Sequence, residues 1–342
     1  IGRQIVDALN QHFASDRPPA RLAQPMPLAC AATPEGKPRW SGVDAVLGEL
    51  AEEETRRQRG VEIRTATLCT RILSEDGVAC GAELRDLRTG EQYVVTAKAV
   101  VVAADALRTP QLLYASGIRP RALGRWLNDQ PQVIALIEVD APPAAASPTS
   151  PLRDGRDNVS GVTWLPFHEP DFPFHGQLMQ MDTSPIAFTQ PPGTATKPVV
   201  GLGLFLAKEL REEDRIVFSD DTDAVGLPKM QLNYQLTDGD RRRLQQAVAV
   251  TERVGAALGR VAPGGEAIIL PAGTSLHYQG TCRLGEANDG TSVADRRSRV
   301  WSFHNLYVGG NGVIPTPTAC NPTLTSVALA ILAADDIVAR LL

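Results

Sequence analysis

The chain opens with IGRQIVDALNQHF, in which Ile1, Ile5, Leu9 and Phe13 recur at helical spacing and predict an amphipathic helix. A Pro- and Ala-rich stretch, SDRPPARLAQPMPLACAATPEGKPRWSG, follows without sustained periodicity and reads as a long ordered loop or surface excursion. The pattern then shortens to β-branched runs, VEIRTATLCTRIL, GVACGAELRD and EQYVVTAKAVVVAAD, with LRTGEQ as a hairpin turn. AVVVAAD, residues 99–105, is continuously apolar, as expected of a strand buried on both faces of a parallel sheet. The next helix, TPQLLYASGI, is predicted with Thr109 as N-cap, Pro110 at its first position and its close near Gly117.

From about residue 131 the runs PQVIALIEVD and PVVGLGLFLAKEL predict strands separated by polar, turn-rich segments. KMQLNYQLTDGDRRRLQQAVAVTERVGAALG predicts an alternating strand, a cap around Thr237 and Asp238, and a long amphipathic helix. An antiparallel sheet with helices is the expected middle region. The chain closes on a buried strand, NLYVGG, and a helix from Asn321 or Pro322 to about Arg340. Leu324, Val327, Ala328, Ile331 and Val338 are its expected buried stripe.

With 342 residues there is room for two domains with sizeable cores. Hydrophobic residues at 43% and charged residues at 21% exclude a disordered or fibrous chain. A net charge of -5 with no Lys or Arg run argues against a nucleic-acid partner, and no apolar run is long enough for a membrane span. The cysteines (30, 69, 80, 282, 320) are scattered and form no CxxC pair, so neither a disulfide framework nor a metal site is expected, and a cytoplasmic setting fits. The abrupt helical start without Met predicts a longer polypeptide.

Candidate chemistry lies in the C-terminal third. Gly309-Gly310-Asn311-Gly312 brings bare backbone to the end of a buried strand, the edge where open α/β sheets bind ligands. Asn321-Pro322-Thr323 opens a helix, and by themselves Asn321 is a cap and the glycines a tight turn. The alternative is that the helix start, with its free N–H groups, faces a group that becomes negative during reaction. His277, just ahead of a Gly-Thr-Cys-Arg turn, is read alone either as a structural loop histidine or as a base.

Taken together, HYQGTCRLG…LYVGGNGVIPTPTACNPTLTSVALAI resembles the C-terminal signature of the glucose-methanol-choline (GMC) flavoprotein oxidoreductases. Within that family it is similar to pyranose oxidases and bacterial glycoside 3-oxidases. AVVVAADALRTPQLLYASGI resembles the family's A-A-G-A-x-x-T-P-Q-L-L segment, with Asp105 where Gly is usual. GRWLNDQP resembles the G-x-N-L-x-D-H-P hinge, with Trp126 and Gln130 as departures.

The resemblance implies an α/β FAD-binding Rossmann-like domain plus an α+β substrate domain with an antiparallel sheet. Residues 1–130 are then part of the FAD-binding domain with a long loop excursion, 131–270 the substrate-binding domain, and 271–342 the return carrying the catalytic pair. His277 is implied as base and Asn321 as its partner on the same substrate oxygen. Cys69, Ala104, Gly310, Asn311, Pro322 and Thr323 are implied around FAD. Gln177 and Asp182 are implied substrate contacts, and TSPIAFTQPPGTATKP an implied lid. No G-x-G-x-x-G follows a strand, so the phosphate loop is expected upstream. The implied reaction is oxidation of a secondary hydroxyl, at C2 or C3 of a pyranose sugar or glycoside, with dioxygen or a quinone-type acceptor. A flavin-dependent lyase and a non-catalytic flavin-binding protein are the rival readings.

Overall fold

The computed structural model describes residues 2–13, 17–26, 30–32, 38–140, 162–169, 172–180, 197 and 199–341. Two compact units emerge, one from residues 1–63, 132–206 and 242–270, the other from 64–131, 207–241 and 271–342. The chain thus crosses between units near 63, 131, 206, 241 and 270. Residues 1–63 group with the middle segment, and 207–241 group with the rest.

The first unit is built on an antiparallel sheet. Its strands run in the order Gln24–Pro25, Val162–Leu165, His175–Gln180, Val199–Phe205, Gln132–Val139, Gly259–Val261, and Ile268–Ile269 also pairs with Gln132–Val139. Val133, Ala135, Ile137 and Val139 are all buried, the period-two alternation of a sheet with one covered face. Helix Gly2–Phe13 buries Ile5 and Leu9, as its spacing predicts. Most of helix Asp238–Leu258 also belongs here, with Leu244, Ala247, Val250, Val254 and Leu258 buried on one stripe.

The second unit combines a three-stranded antiparallel sheet (Thr67–Glu75, Val78–Asp86, Gln92–Thr96) with a parallel pair, Val100–Val102 against Leu306–Val308. Ile72, Val102, Leu113, Cys282, Val293, Leu306 and Val308 form its core. Thr237 and Asp240 close a reciprocal cap: the Thr237 hydroxyl accepts the Asp240 N–H (3.0 Å) and the Asp240 carboxylate accepts the Thr237 N–H (2.9 Å).

Four expectations are corrected. The helix predicted to begin at Thr109 spans Asp105–Ala115, with Pro110 inside it. Its cap is the Asp105 carboxylate, which accepts the N–H groups of Leu107 (2.6 Å) and Arg108 (2.9 Å). Asp105 itself has φ 64, a left-handed conformation that glycine adopts freely and Asp tolerates better than most residues. Pro110 has no N–H to give the Ala106 carbonyl, and the Thr281 hydroxyl donates to that carbonyl in its place.

The final helix spans Thr323–Leu341, and the Pro322 carbonyl accepts its first N–H, from Ser326 (2.9 Å). Asn321 therefore stands one position outside the cap. The expected buried stripe is also reversed, since Leu324 is 80% exposed and Val327, Ala328, Ile331 and Val338 are exposed too. The helix is held instead through buried Ala333 and through the Tyr307 hydroxyl, which donates to Asp336 (2.9 Å). Strand Val100–Val102 behaves likewise, with Val102 buried and Val101 half exposed, so only one of its faces is covered. No helix among the described residues is long and apolar enough to cross a membrane.

Candidate active site

The loop carrying His277 is fixed by two close backbone approaches. Gly280 (φ 89) lies where a Cβ would come within 2.2 Å of the Trp126 carbonyl, so no side chain fits there. Asn128 and Gln279 exchange backbone hydrogen bonds, each 2.9 Å. The hinge segment 124–131 and the loop 276–283 are thereby locked side by side.

Asp129, almost fully buried, accepts the Ser275 hydroxyl and the His277 N–H (3.1 Å). Leu276, immediately before the histidine, is left-handed (φ 58) with an exposed side chain. Such a conformation in a β-carbon residue costs on the order of 1–2 kcal/mol. Asp129 holds the peptide that follows it.

His277 is half-buried. Its Nδ1 lies 2.8 Å from Gln130 Oε1, and its Nε2 lies 3.4 Å from Asn321 Nδ2. Gln130 in turn donates through Nε2 to the Cys320 carbonyl (2.6 Å) and to the Thr318 hydroxyl (3.1 Å). Gln279 also donates to Thr318 (3.2 Å). Burial lowers the His277 pKa, and the Asp129 charge opposes that shift without reversing it. The imidazole is therefore neutral near pH 7 and able to accept a proton.

Beside this pair the parallel strands end in bare backbone. The Cys282 N–H donates to the Gly312 carbonyl (2.9 Å), and a Cβ on Gly312 would meet Thr281 Oγ1 at 3.2 Å and Ala106 Cα at 3.3 Å. The Gly-Thr-Cys-Arg turn, the Gly-Gly-Asn-Gly turn and the start of helix Asp105–Ala115 thus meet. Gly310 (φ 85) has open space where its Cβ would be, and Ala104 is exposed at the end of its strand. The Asn311 carboxamide oxygen accepts the Ser326 hydroxyl, tying this turn to the first turn of the final helix. Pro322 is buried and Thr323 exposed at that helix start. Open backbone at the carboxyl end of a parallel pair, next to a helix N-terminus, suits a flat polar group carrying negative charge.

Of the residues singled out by sequence, the structure brings together His277 and Asn321 and, around the adjoining turn, Ala104, Gly310, Asn311, Pro322 and Thr323. Cys69 sits half-buried on strand Thr67–Glu75, its thiol weakly bonded to the Arg71 carbonyl (3.8 Å) and raised in pKa by burial. Gln177 lies in the sheet of the other unit, with its amide 3.0 Å from His175 Nε2. Asp182 lies outside the described residues, as does the expected lid apart from Lys197. Sequence reasoning passed over Asp129, Thr281 and Thr318. Gln130 was visible only as a departure from the hinge pattern.

GMC oxidoreductase family models match residues 30–132 and 214–330. The chain is 49% identical over 316 residues to a C-glycoside 3-oxidase of Microbacterium trichothecenolyticum, covering 92% of this chain and 60% of that protein. It is 46% identical over 351 residues to a C-glycoside 3-oxidase of Arthrobacter globiformis, covering 99% of this chain and 65% of that protein. The chain therefore spans less than two thirds of the length of these relatives. Among solved structures, pyridoxine 4-oxidase from Mesorbium loti superposes with a TM-score of 0.65 at 18% identity, over 97% of this chain and 69% of its own, a likeness of fold.

Proposed function

This chain belongs to the GMC oxidoreductase family, whose cofactor is FAD, and from that premise we propose that it oxidises a secondary ring hydroxyl of a sugar glycoside. The observation that carries the reading is the His277 Nε2–Asn321 Nδ2 pair, 3.4 Å apart. The exposed Ala104, the open Gly310, Asn311 and the helix start at Pro322 and Thr323 fit FAD and would hold it, with Cys69 on the adenine side. When bound, FAD supplies the acceptor for the hydride.

The chain's own residues handle the proton and the alignment. An alcohol gives up hydride readily only as its hydroxyl proton leaves, so a base must reach that proton. Neutral His277 takes it at Nε2. Asn321, within hydrogen-bonding reach of the same nitrogen, donates to the substrate oxygen and limits how the carbinol C–H can point. A base placed in this way contributes about 10²- to 10⁴-fold. Helix N–H groups at the start of Thr323–Leu341 favour negative charge near them.

The two C-glycoside 3-oxidases support a glycoside as substrate and C3 as the position oxidised. Dioxygen or a quinone-type compound is the proposed final acceptor. The test is anaerobic mixing of the flavin-loaded protein with aryl C- and O-glycosides, glucose, choline and simple primary alcohols. Fastest bleaching of the flavin by a glycoside, yielding a 3-keto product, is the expected result. Faster bleaching by choline or primary alcohols rules out the substrate class. Turnover of substrate without bleaching points to the lyase.

A further inference from the structure

We propose that Gln130 is a positioning residue that fixes the proton of His277 on Nδ1 and so leaves Nε2 as the basic nitrogen. The inference rests on His277 being the base of the reaction proposed above, but its geometry stands by itself. The orientation of a carboxamide follows from its least ambiguous partner. For Gln130 that partner is the Cys320 carbonyl, which can only accept, 2.6 Å from Nε2. The amide NH2 therefore faces Cys320 and Thr318. Oε1 is left 2.8 Å from His277 Nδ1, and because a carboxamide oxygen cannot donate, Nδ1 must carry the hydrogen.

A neutral imidazole has one N–H, so Nε2 keeps its lone pair, on the side where Asn321 offers a donor at 3.4 Å. In water the imidazole side chain favours the opposite tautomer, with the proton on Nε2, which would turn a donor toward the substrate hydroxyl and abolish base function. Gln130 is 2% exposed, too buried for solvent to take over its role. It also spans from the histidine to Cys320, the residue before Asn321, so one side chain sets the spacing of both members of the pair. An amide does this without adding charge. Asp129 is the charged group acting on the imidazole, and it engages the backbone N–H of His277.

Two substitutions separate this role from simple packing. Gln130→Met keeps length and apolar volume but removes both the acceptor and the donor. Gln130→Glu keeps an acceptor toward Nδ1, loses the donor toward Cys320 and adds a negative charge. The readout is the long-range proton–nitrogen spectrum of the flavin-loaded protein labelled with 15N-histidine, with His277 assigned by the signals missing from His277→Ala. The expected wild-type pattern is a protonated Nδ1 and a bare Nε2. Gln130→Glu should keep that pattern and raise the pH at which His277 titrates, because a nearby carboxylate favours the imidazolium.

Gln130→Met should shift the proton wholly or partly to Nε2 and slow flavin reduction about tenfold or more, with KM changed less than about threefold, a loss within what a positioned base supplies. A wild-type proton on Nε2, or an unaltered tautomer in Gln130→Met, overturns the proposal. Should Gln130→Met not fold, the Glu variant decides alone: loss of the Nδ1 proton or an unmoved titration overturns it equally. The spectra need no turnover, so failure of sugar oxidation leaves this result standing. Conversely, the wrong tautomer in a protein that oxidises glycosides rapidly defeats only the role of Gln130.

Discussion

At the scale of single residues, His277 should be dispensable for cofactor binding and necessary for turnover. His277→Ala is expected to slow flavin reduction about 10²- to 10⁴-fold while FAD remains bound, and stopped-flow rates within about threefold of wild type would return it to a structural role. Because burial lowers its pKa, the reduction rate should be full above the ordinary histidine value of about 6.5 and fall only as pH drops through the lower value in the fold. Asp129 raises that pKa, so Asp129→Asn, which can still accept the His277 N–H, should move the acid limb further down in pH. Asn321 was legible in the sequence for a partly mistaken reason. It looks like a helix cap, yet the cap position belongs to Pro322, and the carboxamide is turned to His277 instead. Asn321→Ala should therefore slow reduction with little change in thermal stability, and a loss of about 1 kcal/mol or more would restore the capping role. Gln130 was hard to read because a hydrogen-bond network is a property of three segments, 128–131, 275–279 and 318–321, that no local pattern links.

At the scale of elements, the mistaken start of helix Asp105–Ala115 shows how local rules compete. Thr-Pro is a strong opening signal, but Asp105 supplies a cap four residues earlier, and Thr281, 175 positions from Ala106 in sequence, satisfies the carbonyl that Pro110 strands. The long-range partner lets the helix run through its proline. Thr281→Val should cost about 1–3 kcal/mol by leaving a buried carbonyl unpaired. In a Pro110→Ala background the restored N–H can reach Ala106, so the same change should cost clearly less. Chemical denaturation of the four proteins of this cycle measures the coupling, and additive effects would contradict the arrangement. At Asp105 the two requirements, a cap and a left-handed backbone, also separate. Asp105→Gly should cost only a few tenths of a kcal/mol and Asp105→Ala about 1 kcal/mol or more, since alanine neither caps nor tolerates that conformation.

On the scale of the whole molecule, periodicity identified which faces are apolar but not what covers them. The sheet of the first unit and the stripe of helix Asp238–Leu258 were readable because their partners lie within the chain. The stripe of the final helix differs: Leu324, Val327, Ile331, Leu332 and Val338 have the helical spacing of a core face and are exposed among the described residues, as is Val101 on the parallel strand. Isolated exposed apolar residues are ordinary, whereas a row of them on one helix is a surface that seeks cover. Among the described residues this unit offers a cofactor Cys69, Ala104, Asn311, the open backbone around Gly310 and a helix start, and residues 1–342 contain no G-x-G-x-x-G, the loop that cradles a dinucleotide's phosphates. Residues 1–342 as an isolated polypeptide are therefore expected to bind FAD weakly and to self-associate as concentration rises. Equilibrium dialysis and sedimentation test the two together. Replacing Leu324 and Ile331 with Gln should suppress the association without strengthening FAD binding, because the apolar row and the phosphate contacts are separate requirements. Tight stoichiometric FAD on the unmodified polypeptide would mean that the open backbone and helix start suffice to hold the dinucleotide.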